Sequence, residues 1–133
     1  MSCTIMNSSI KKELAWLKKM YCYSRCSTCA KARKWLDEEN VSYNVVDIVG
    51  TPPTKEELLA LIKQGNHPIK YFFNTSGIKY RELQLKDKVP SMTDEEASEI
   101  LASDGKLIKR PLMIEGDHFT CGFKPDVYKE EWL

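Results

Sequence analysis

The residues with the most evident chemistry are three neighbouring cysteines, Cys22, Cys26 and Cys29. Cys26 and Cys29 form a C-x-x-C pair, a spacing typical of thiol–disulfide chemistry. Strong helix formers follow from Ala30 to Glu39, so Cys26 is expected at a helix N-terminus with Cys29 one turn inside. The unpaired N–H groups and the dipole of a helix N-terminus stabilise a thiolate. We therefore predict that Cys26 is the nucleophile and that Cys29 resolves its adducts.

Zinc binding is an alternative use of the C-x-x-C pair. A structural zinc site needs two further ligands at similar spacing. The remaining candidates, Cys3, Cys121, His67 and His118, are isolated from one another in the sequence. The pattern therefore favours a redox site over a metal site.

Two other interpretations concern all three cysteines. Together they have the spacing C-x3-C-x2-C, which radical S-adenosylmethionine enzymes use to hold an iron–sulfur cluster. Cys22 falls within a predicted strand, however, and such enzymes need a much larger barrel than this chain can form. The cysteines could also be small buried hydrophobic residues, which suits Cys22 well and the C-x-x-C pair poorly.

The flanking segments predict a β-α-β unit around the pair. Lys19–Tyr23 is aromatic and apolar enough for a short strand. Cys29, Ala32 and Leu36 share one face of the following helix, and we expect that face to be buried. The partly alternating, β-branched segment Val41–Ile48 predicts a second strand.

The middle of the chain is predicted to be helical. Thr54 and Thr93 each begin a capping-box pattern, which marks the start of a helix. We expect the first helix to end at Gly65 and the second near Ala102, with a further helical segment at Tyr80–Leu85.

The last part of the chain predicts a β-β-α unit. Leu112–Ile114 and Phe119–Cys121 flank Glu115-Gly-Asp117, which is a good signal for a β-hairpin. Pro125 suits the first position of a final helix that runs to about Trp132.

Length and composition indicate a single soluble globular domain. The chain has 133 residues, of which 42% are hydrophobic and 29% charged, and its net charge is +1. This charge predicts no general attraction to nucleic acid or to membranes, and no segment resembles a membrane span or a signal peptide. Five cysteines without an export signal indicate the reducing cytoplasm. We assign residues 1–18 to an N-terminal extension, in which Ile10–Leu17 could form a short helix, and residues 19–133 to one domain.

Four stretches carry a family resemblance: Cys26–Leu36, Phe73–Leu83, Leu101–Pro111 and Gly122–Lys124. With them, the sequence resembles the arsenate reductase (ArsC)-like family, which includes the Spx-type transcription regulators. The resemblance implies a thioredoxin-like α/β fold. Its β-α-β…β-β-α order forms a mixed sheet, with a helical insertion between the two halves.

The resemblance also implies a set of site residues. In the arsenate reductases of this family a cysteine attacks arsenate and arginines hold the oxyanion. By motif, Cys26 matches the nucleophile, and Arg81 and Arg110 match two of the arginines; the alternative is that these two arginines are solvated or paired with acidic residues. The third arginine falls at Lys124, and a lysine cannot make the two-pronged contact of a guanidinium. Pro111 is implied to have a cis peptide bond and to face the cysteine loop.

The function implied by this resemblance is a cytoplasmic thiol-dependent reductase that acts on an oxyanion such as arsenate or on a glutathione disulfide. Cys29 or glutathione would resolve the adduct on Cys26. Glutathione with glutaredoxin, or thioredoxin, is the expected electron donor, and no bound cofactor or metal is required. The alternative is an Spx-type redox-sensing regulator that binds RNA polymerase through a Cys26–Cys29 disulfide switch. Cys121 is either a distant partner for Cys26 or a buried strand residue.

Overall fold

The computed structural model describes residues 18–133, which form a four-stranded mixed sheet with six α-helices. The predicted helix Ile10–Leu17 lies outside the described residues. The sheet order is β2-β1-β3-β4, with β1 parallel to β2, and β3 antiparallel to both β1 and β4. This confirms the predicted order of a parallel β-α-β half followed by an antiparallel β-β-α half. The strands are β1 (Lys18–Cys22), β2 (Asn44–Asp47), β3 (Leu112–Glu115) and β4 (His118–Cys121).

Helix α1 (Ser27–Glu38) follows β1 after a short turn, and Cys26 is its N-cap residue. The helix buries Cys29, Ala32 and Leu36, which are completely inaccessible to solvent. The predicted buried face is therefore confirmed. It packs against the sheet, and this fixes the direction in which the helix N-terminus points.

Strand β2 is shorter than predicted. Only residues 44–47 of the predicted strand Val41–Ile48 pair with β1. Val41 and Tyr43 instead pack against the hydrophobic cluster beneath α1. Packing of these two side chains therefore outweighs the β-propensity of the segment.

A helical insertion joins β2 to β3, as predicted. Thr93 makes both halves of a capping box, but Thr54 only accepts a hydrogen bond from the N–H of Glu57. The carboxylate of Glu57 accepts hydrogen bonds from Lys19 (2.9 Å) and Tyr21 (3.0 Å) of β1, which ties the insertion to the sheet. The α-helices of the insertion are α2 (Lys55–Lys63), α3 (Ile78–Glu82), α4 (Leu85–Lys88) and α5 (Asp94–Ser103), and its 3-10 turns are Ile69–Phe72, Val89–Ser91 and Gly105–Leu107.

The predicted helix Tyr80–Leu85 is wrong as a single element. Gln84 adopts a left-handed backbone conformation (φ 54°) between α3 and α4, so the helical hydrogen-bond pattern is interrupted there. Tyr80 and Leu85 are both buried. The break lets two short helices each direct an apolar side chain into the core.

The C-terminal β-β-α unit is confirmed. Gly116 supplies the positive φ (64°) of the turn between β3 and β4. Pro125 is the first residue of α6 (Pro125–Trp132), where a missing N–H leaves no helical hydrogen bond unmade.

Hydrophobic clusters cover both faces of the sheet. Met20 and Met113 belong to the cluster shared with α1 and α6, whereas Tyr21 and Leu112 belong to the cluster shared with the insertion. Successive strand residues point to opposite faces, so β1 and β3 each contribute to both clusters. The sheet is thereby held between two helical layers, and the loops at its edge are free to form a site.

We predict that Gly105→Ala lowers the free energy of unfolding by about 3 kcal/mol, at the upper end of typical overpacking effects. A Cβ atom at Gly105 would overlap the backbone carbonyl oxygen of Ile48, which cannot rotate away as a side chain can. Urea denaturation measures the change. Gly65→Ala is the control: its φ is +73°, but nothing lies within 4 Å, so it should cost only about 1 kcal/mol of left-handed strain. Equal losses in the two variants would contradict the prediction.

Candidate active site

Cys26 opens onto a cleft of about 590 Å³. This volume lies in the range of sites for small molecules. The cleft is formed by the α1 N-terminus, the insertion, the segment before β3 and the segment after β4. Its other lining residues are Thr28, His67, Tyr71, Asn74, Ser76, Lys109, Arg110, Cys121, Gly122, Phe123, Lys124 and Val127.

The backbone of Cys26 is fully used in the turn from strand to helix. Its N–H donates to the carbonyl oxygen of Tyr23 (3.0 Å), and its carbonyl oxygen accepts from the N–H of Ala30 (3.2 Å). The side chain is half-buried and makes no capping hydrogen bond. The sulfur is therefore available to the cleft, at the end of α1 where unpaired N–H groups favour negative charge.

Three cations line the cleft with Cys26: Lys109, Arg110 and Lys124. The guanidinium carbon of Arg110 lies 5.0 Å from the centre of the Tyr23 ring, and Nζ of Lys109 lies 5.8 Å from that of Tyr71. Within residues 18–133, none of the three cations takes part in an ion pair. Their positive charge is therefore available to an anion in the cleft, and the alternative of an acidic partner for Arg110 is not observed.

Arg81 lies apart from this cleft. It is exposed on α3 and lines a separate depression with Thr75, Gln84 and Asp87. Two residues of the break that precedes α3, Asn74 and Ser76, do reach the cleft. The structure thus brings together Cys26, Arg110 and Lys124 of the predicted site, but not Arg81.

Pro111 joins the cation-bearing segment to the sheet. The Arg110–Pro111 peptide bond is cis, as the resemblance implies. The carbonyl oxygen of Pro111 accepts a hydrogen bond from the N–H of Gly122 (2.9 Å). Gly122 has a positive φ of 79°, and this contact holds the segments before β3 and after β4 side by side. Arg110 and Lys124 therefore approach the cleft from adjacent segments.

Cys29 and Cys22 form a buried pair behind Cys26. Their exposed fractions are 0% and 4%. A hydrogen bond with Cys22, together with burial, raises the pKa of the Cys29 thiol far above its ordinary range. The same hydrogen bond lowers the pKa of Cys22, burial opposes this, and Arg33 lowers it further. Sequence reasoning treated Cys22 as an inert strand residue and missed this pairing.

Cys121 is a buried residue of β4 that reaches the edge of the cleft. Its N–H donates to the hydroxyl oxygen of Tyr71 (3.0 Å), and burial strongly raises the pKa of its thiol. His67 stacks on Tyr71 with ring centres 3.9 Å apart. Sequence reasoning assigned no role to His67 and did not identify Tyr71. No spacing pattern connects either residue to the cysteines, because their proximity arises from the insertion folding over the sheet.

Lys109 was also missed as a site residue. It stands next to Arg110 in the Leu-Ile-Lys-Arg-Pro stretch, and that adjacency was the only available signal. In the described part of the chain, no group of three or more His, Cys, Asp or Glu residues could hold a metal ion. No helix among residues 18–133 is long and apolar enough to cross a membrane.

The ArsC family matches residues 21–131 of the sequence. The chain belongs to this family. The uncharacterized protein YusI of Bacillus subtilis is 52% identical over 112 residues, which cover 84% of this chain and 95% of YusI. A crystal structure of an ArsC-family-related protein from Bacteroides fragilis is 47% identical, with a TM-score of 0.79 and coverage of 85% and 97%. A structure from Streptococcus mutans, described as a possible arsenate reductase, is 38% identical, with a TM-score of 0.78 and coverage of 81% and 92%. The thioredoxin-like fold expected of an ArsC protein is thus confirmed.

Named regulators are also related to this ArsC-family chain, at lower identity. The regulatory protein MgsR of Bacillus subtilis is 27% identical over 105 residues, which cover 79% of this chain and 82% of MgsR. The global transcriptional regulator Spx of Streptococcus agalactiae is 25% identical over 101 residues, which cover 76% of this chain and 72% of Spx. The ArsC family therefore includes proteins named as enzymes and proteins named as regulators.

We predict that, among the cysteines of residues 18–133, iodoacetamide modifies Cys26 first in the reduced, folded protein. Cys22, Cys29 and Cys121 should react only after unfolding, because each is at most 8% exposed and because raised pKa values keep Cys29 and Cys121 protonated. Timed alkylation followed by peptide mass spectrometry measures the order. A sample unfolded in guanidinium is the control, in which all of these cysteines should be modified. Early labelling of Cys29 in the folded protein would contradict the prediction.

Proposed function

We propose that this protein is a cytoplasmic thiol-dependent reductase that acts on an oxyanion such as arsenate or on a disulfide such as that of glutathione. The observation that carries the proposal is the position of Cys26. Its thiol stands at the N-terminus of α1 in a cleft that also contains Lys109, Arg110 and Lys124. A nucleophilic thiol that faces cations without an ion pair in the described part of the chain suits an anionic substrate.

The proposed reaction on a disulfide has two exchange steps. The Cys26 thiolate attacks one sulfur of the substrate, forms a mixed disulfide and releases the other half as a thiolate. Cys29 loses its proton and attacks Cys26, which forms the Cys26–Cys29 disulfide and releases the second half. Glutathione with glutaredoxin, or thioredoxin, then supplies two electrons that reduce the enzyme. With arsenate, attack by Cys26 would form a thiol–arsenate adduct with loss of water, and a second thiol would attack Cys26 and leave the arsenic reduced.

The size and charge of the cleft bear on the choice between these substrates. Its volume of about 590 Å³ exceeds the space that a tetrahedral anion fills. Lys124 replaces an arginine expected in the arsenate reductases, and an ammonium group binds an oxyanion at one point instead of two. The size of the cleft favours a larger anionic substrate, such as a glutathione disulfide, and the lysine weakens the argument for arsenate.

The second candidate is a redox-sensing regulator that binds RNA polymerase. Its support is the similarity to MgsR and Spx, together with a C-x-x-C pair that could close as a switch. In this case Cys26 and Cys29 would form a disulfide, but no substrate would turn over.

We expect Cys26→Ser to abolish NADPH-coupled reduction of arsenate and of a small mixed disulfide. The serine hydroxyl is far less nucleophilic at neutral pH than a thiolate. Cys29→Ser, the matched variant, should keep activity with glutathione and glutaredoxin but lose it with thioredoxin if Cys29 resolves the adduct. Turnover is measured with each donor system in turn. Absence of turnover in the unmodified protein with every substrate and donor, while Cys26 still reacts with iodoacetamide, would favour the regulator, and co-purification with RNA polymerase would then test it.

We expect Arg110→Ala to raise KM for an anionic disulfide by about 10-fold or more, which corresponds to the loss of one charge-assisted hydrogen bond. Arg81→Ala is the matched comparison. The resemblance assigns both arginines to the substrate, but only Arg110 lines the cleft with Cys26, so Arg81→Ala should change KM by less than about 3-fold. Steady-state kinetics on both variants show which substitution raises KM more. A larger effect at Arg81 would mean that α3 approaches the substrate during catalysis.

A further inference from the structure

The thiol of Cys22 has no part in the proposed reaction. Cys22 is the last residue of β1 and only 4% exposed, and Cys29, in the first turn of α1, is completely buried beside it. Both belong to one hydrophobic cluster, and Cys26 packs against that cluster from the cleft side. Three thiols thus stand between the cleft and the protein interior.

The interactions among these thiols place Cys29 between Cys26 and Cys22. Cys29 packs in one cluster with Cys22, Cys26 packs against that cluster, and both neighbouring thiols affect the pKa of Cys29. The pKa of Cys22 is affected by Cys29 and by Arg33 through short-range interactions, and by Cys26 only through its charge. Cys29 is therefore the sulfur that both other thiols can reach.

The surroundings of Cys22 favour a thiolate. The hydrogen bond from Cys29 and the charge of Arg33 lower the pKa of Cys22 despite its burial. The hydroxyl group of Tyr128 is also buried in this cluster, and among residues 18–133 it has no hydrogen-bond partner. An unpartnered buried donor is unusual, and it could donate to a charged sulfur that forms nearby.

We propose that Cys22 is a third redox-active residue, which takes over the disulfide that Cys26 forms with Cys29. This inference rests on the proposed function for the origin of the Cys26–Cys29 disulfide in the cell. The Cys22 thiolate attacks Sγ of Cys29, the Cys22–Cys29 bond forms, the Cys26–Cys29 bond breaks, and Cys26 leaves as a thiolate. The proton lost by Cys22 is balanced by the one that the Cys26 thiolate can take up, and the exchange needs no external oxidant or reductant.

The exchange returns Cys26 to its reduced, reactive form and leaves the disulfide between two buried cysteines. After the exchange, Cys26 is again free in the cleft and can attack a second substrate molecule. The Cys22–Cys29 disulfide lies in the protein interior, where external thiols reach it poorly. Regeneration would then run through Cys26, by reversal of the same exchange.

The tryptic map of this sequence separates the two disulfides directly. Trypsin cleaves after lysine and arginine, which places Cys22 on the peptide of residues 20–25, and Cys26 and Cys29 together on the peptide of residues 26–31. A Cys26–Cys29 disulfide therefore stays within one peptide, whereas a Cys22–Cys29 disulfide joins two.

In the experiment, reduced Cys3→Ser protein is oxidised with one equivalent of diamide, and samples are quenched with acid at increasing times. Free thiols are then alkylated with N-ethylmaleimide, and the tryptic peptides are mapped by mass spectrometry. Diamide oxidises the thiols whether or not the protein has a physiological substrate, so the result is independent of the proposed function. We expect the intrapeptide disulfide to appear first and then to decline as the joined peptides, with alkylated Cys26, become the main oxidised species. Persistence of the intrapeptide disulfide alone, or joining to the peptide that carries Cys121, would overturn the proposal.

Two variants test the route of the exchange. Cys26→Ser should lose the joined peptides, because the buried thiols of Cys22 and Cys29 are then without their exposed partner. Formation of the Cys22–Cys29 disulfide in Cys26→Ser at the unmodified rate would refute a relay through Cys26. Cys22→Ala should trap the intrapeptide disulfide and abolish alkylation of Cys26 after oxidation, an outcome that a purely structural role of Cys22 would not produce.

Discussion

The turn between β1 and α1 is the constraint on which the rest of the site depends. The strand ends at Cys22 and the helix begins at Ser27, and the hydrogen bond from the N–H of Cys26 to the carbonyl oxygen of Tyr23 closes the turn. With so short a connection, the buried face of α1 can meet the sheet in only one orientation. That orientation exposes Cys26 at the helix N-terminus and at the same time sets Cys29 against Cys22.

The site has a cationic side, which faces the cleft, and an apolar side, which faces the protein interior, and the two lie close together. On the cleft side, Cys26 faces cations contributed by the segments before β3 and after β4. On the interior side, Cys29 and Cys22 pack together in an apolar cluster, where the interaction with Cys22 and burial raise the pKa of the Cys29 thiol. One strand–helix junction thus holds an exposed nucleophile next to a protected pair, and thiol chemistry can proceed between them.

The helical insertion completes this arrangement. It covers the other face of the sheet through the cluster that contains Tyr21 and Leu112, and Glu57 ties it to β1 through Lys19 and Tyr21. Its residues Tyr71 and Asn74 then become part of the cleft wall. The family of this chain includes relatives named as enzymes and as regulators, so the composition of this wall, more than the fold, is what can distinguish the two functions.

The sequence by itself determined the β-α-β and β-β-α units, the position of Cys26 at the start of α1 and the buried face of Cys29, Ala32 and Leu36. These features follow from local propensity, capping chemistry and periodicity, which act over a few residues. Only the tertiary structure decided that Arg81 stands apart from the cleft, that Lys109, His67 and Tyr71 join it, and that Cys22 contacts Cys29. These outcomes depend on how distant segments pack, and a linear pattern does not record the distance between side chains that the fold brings together.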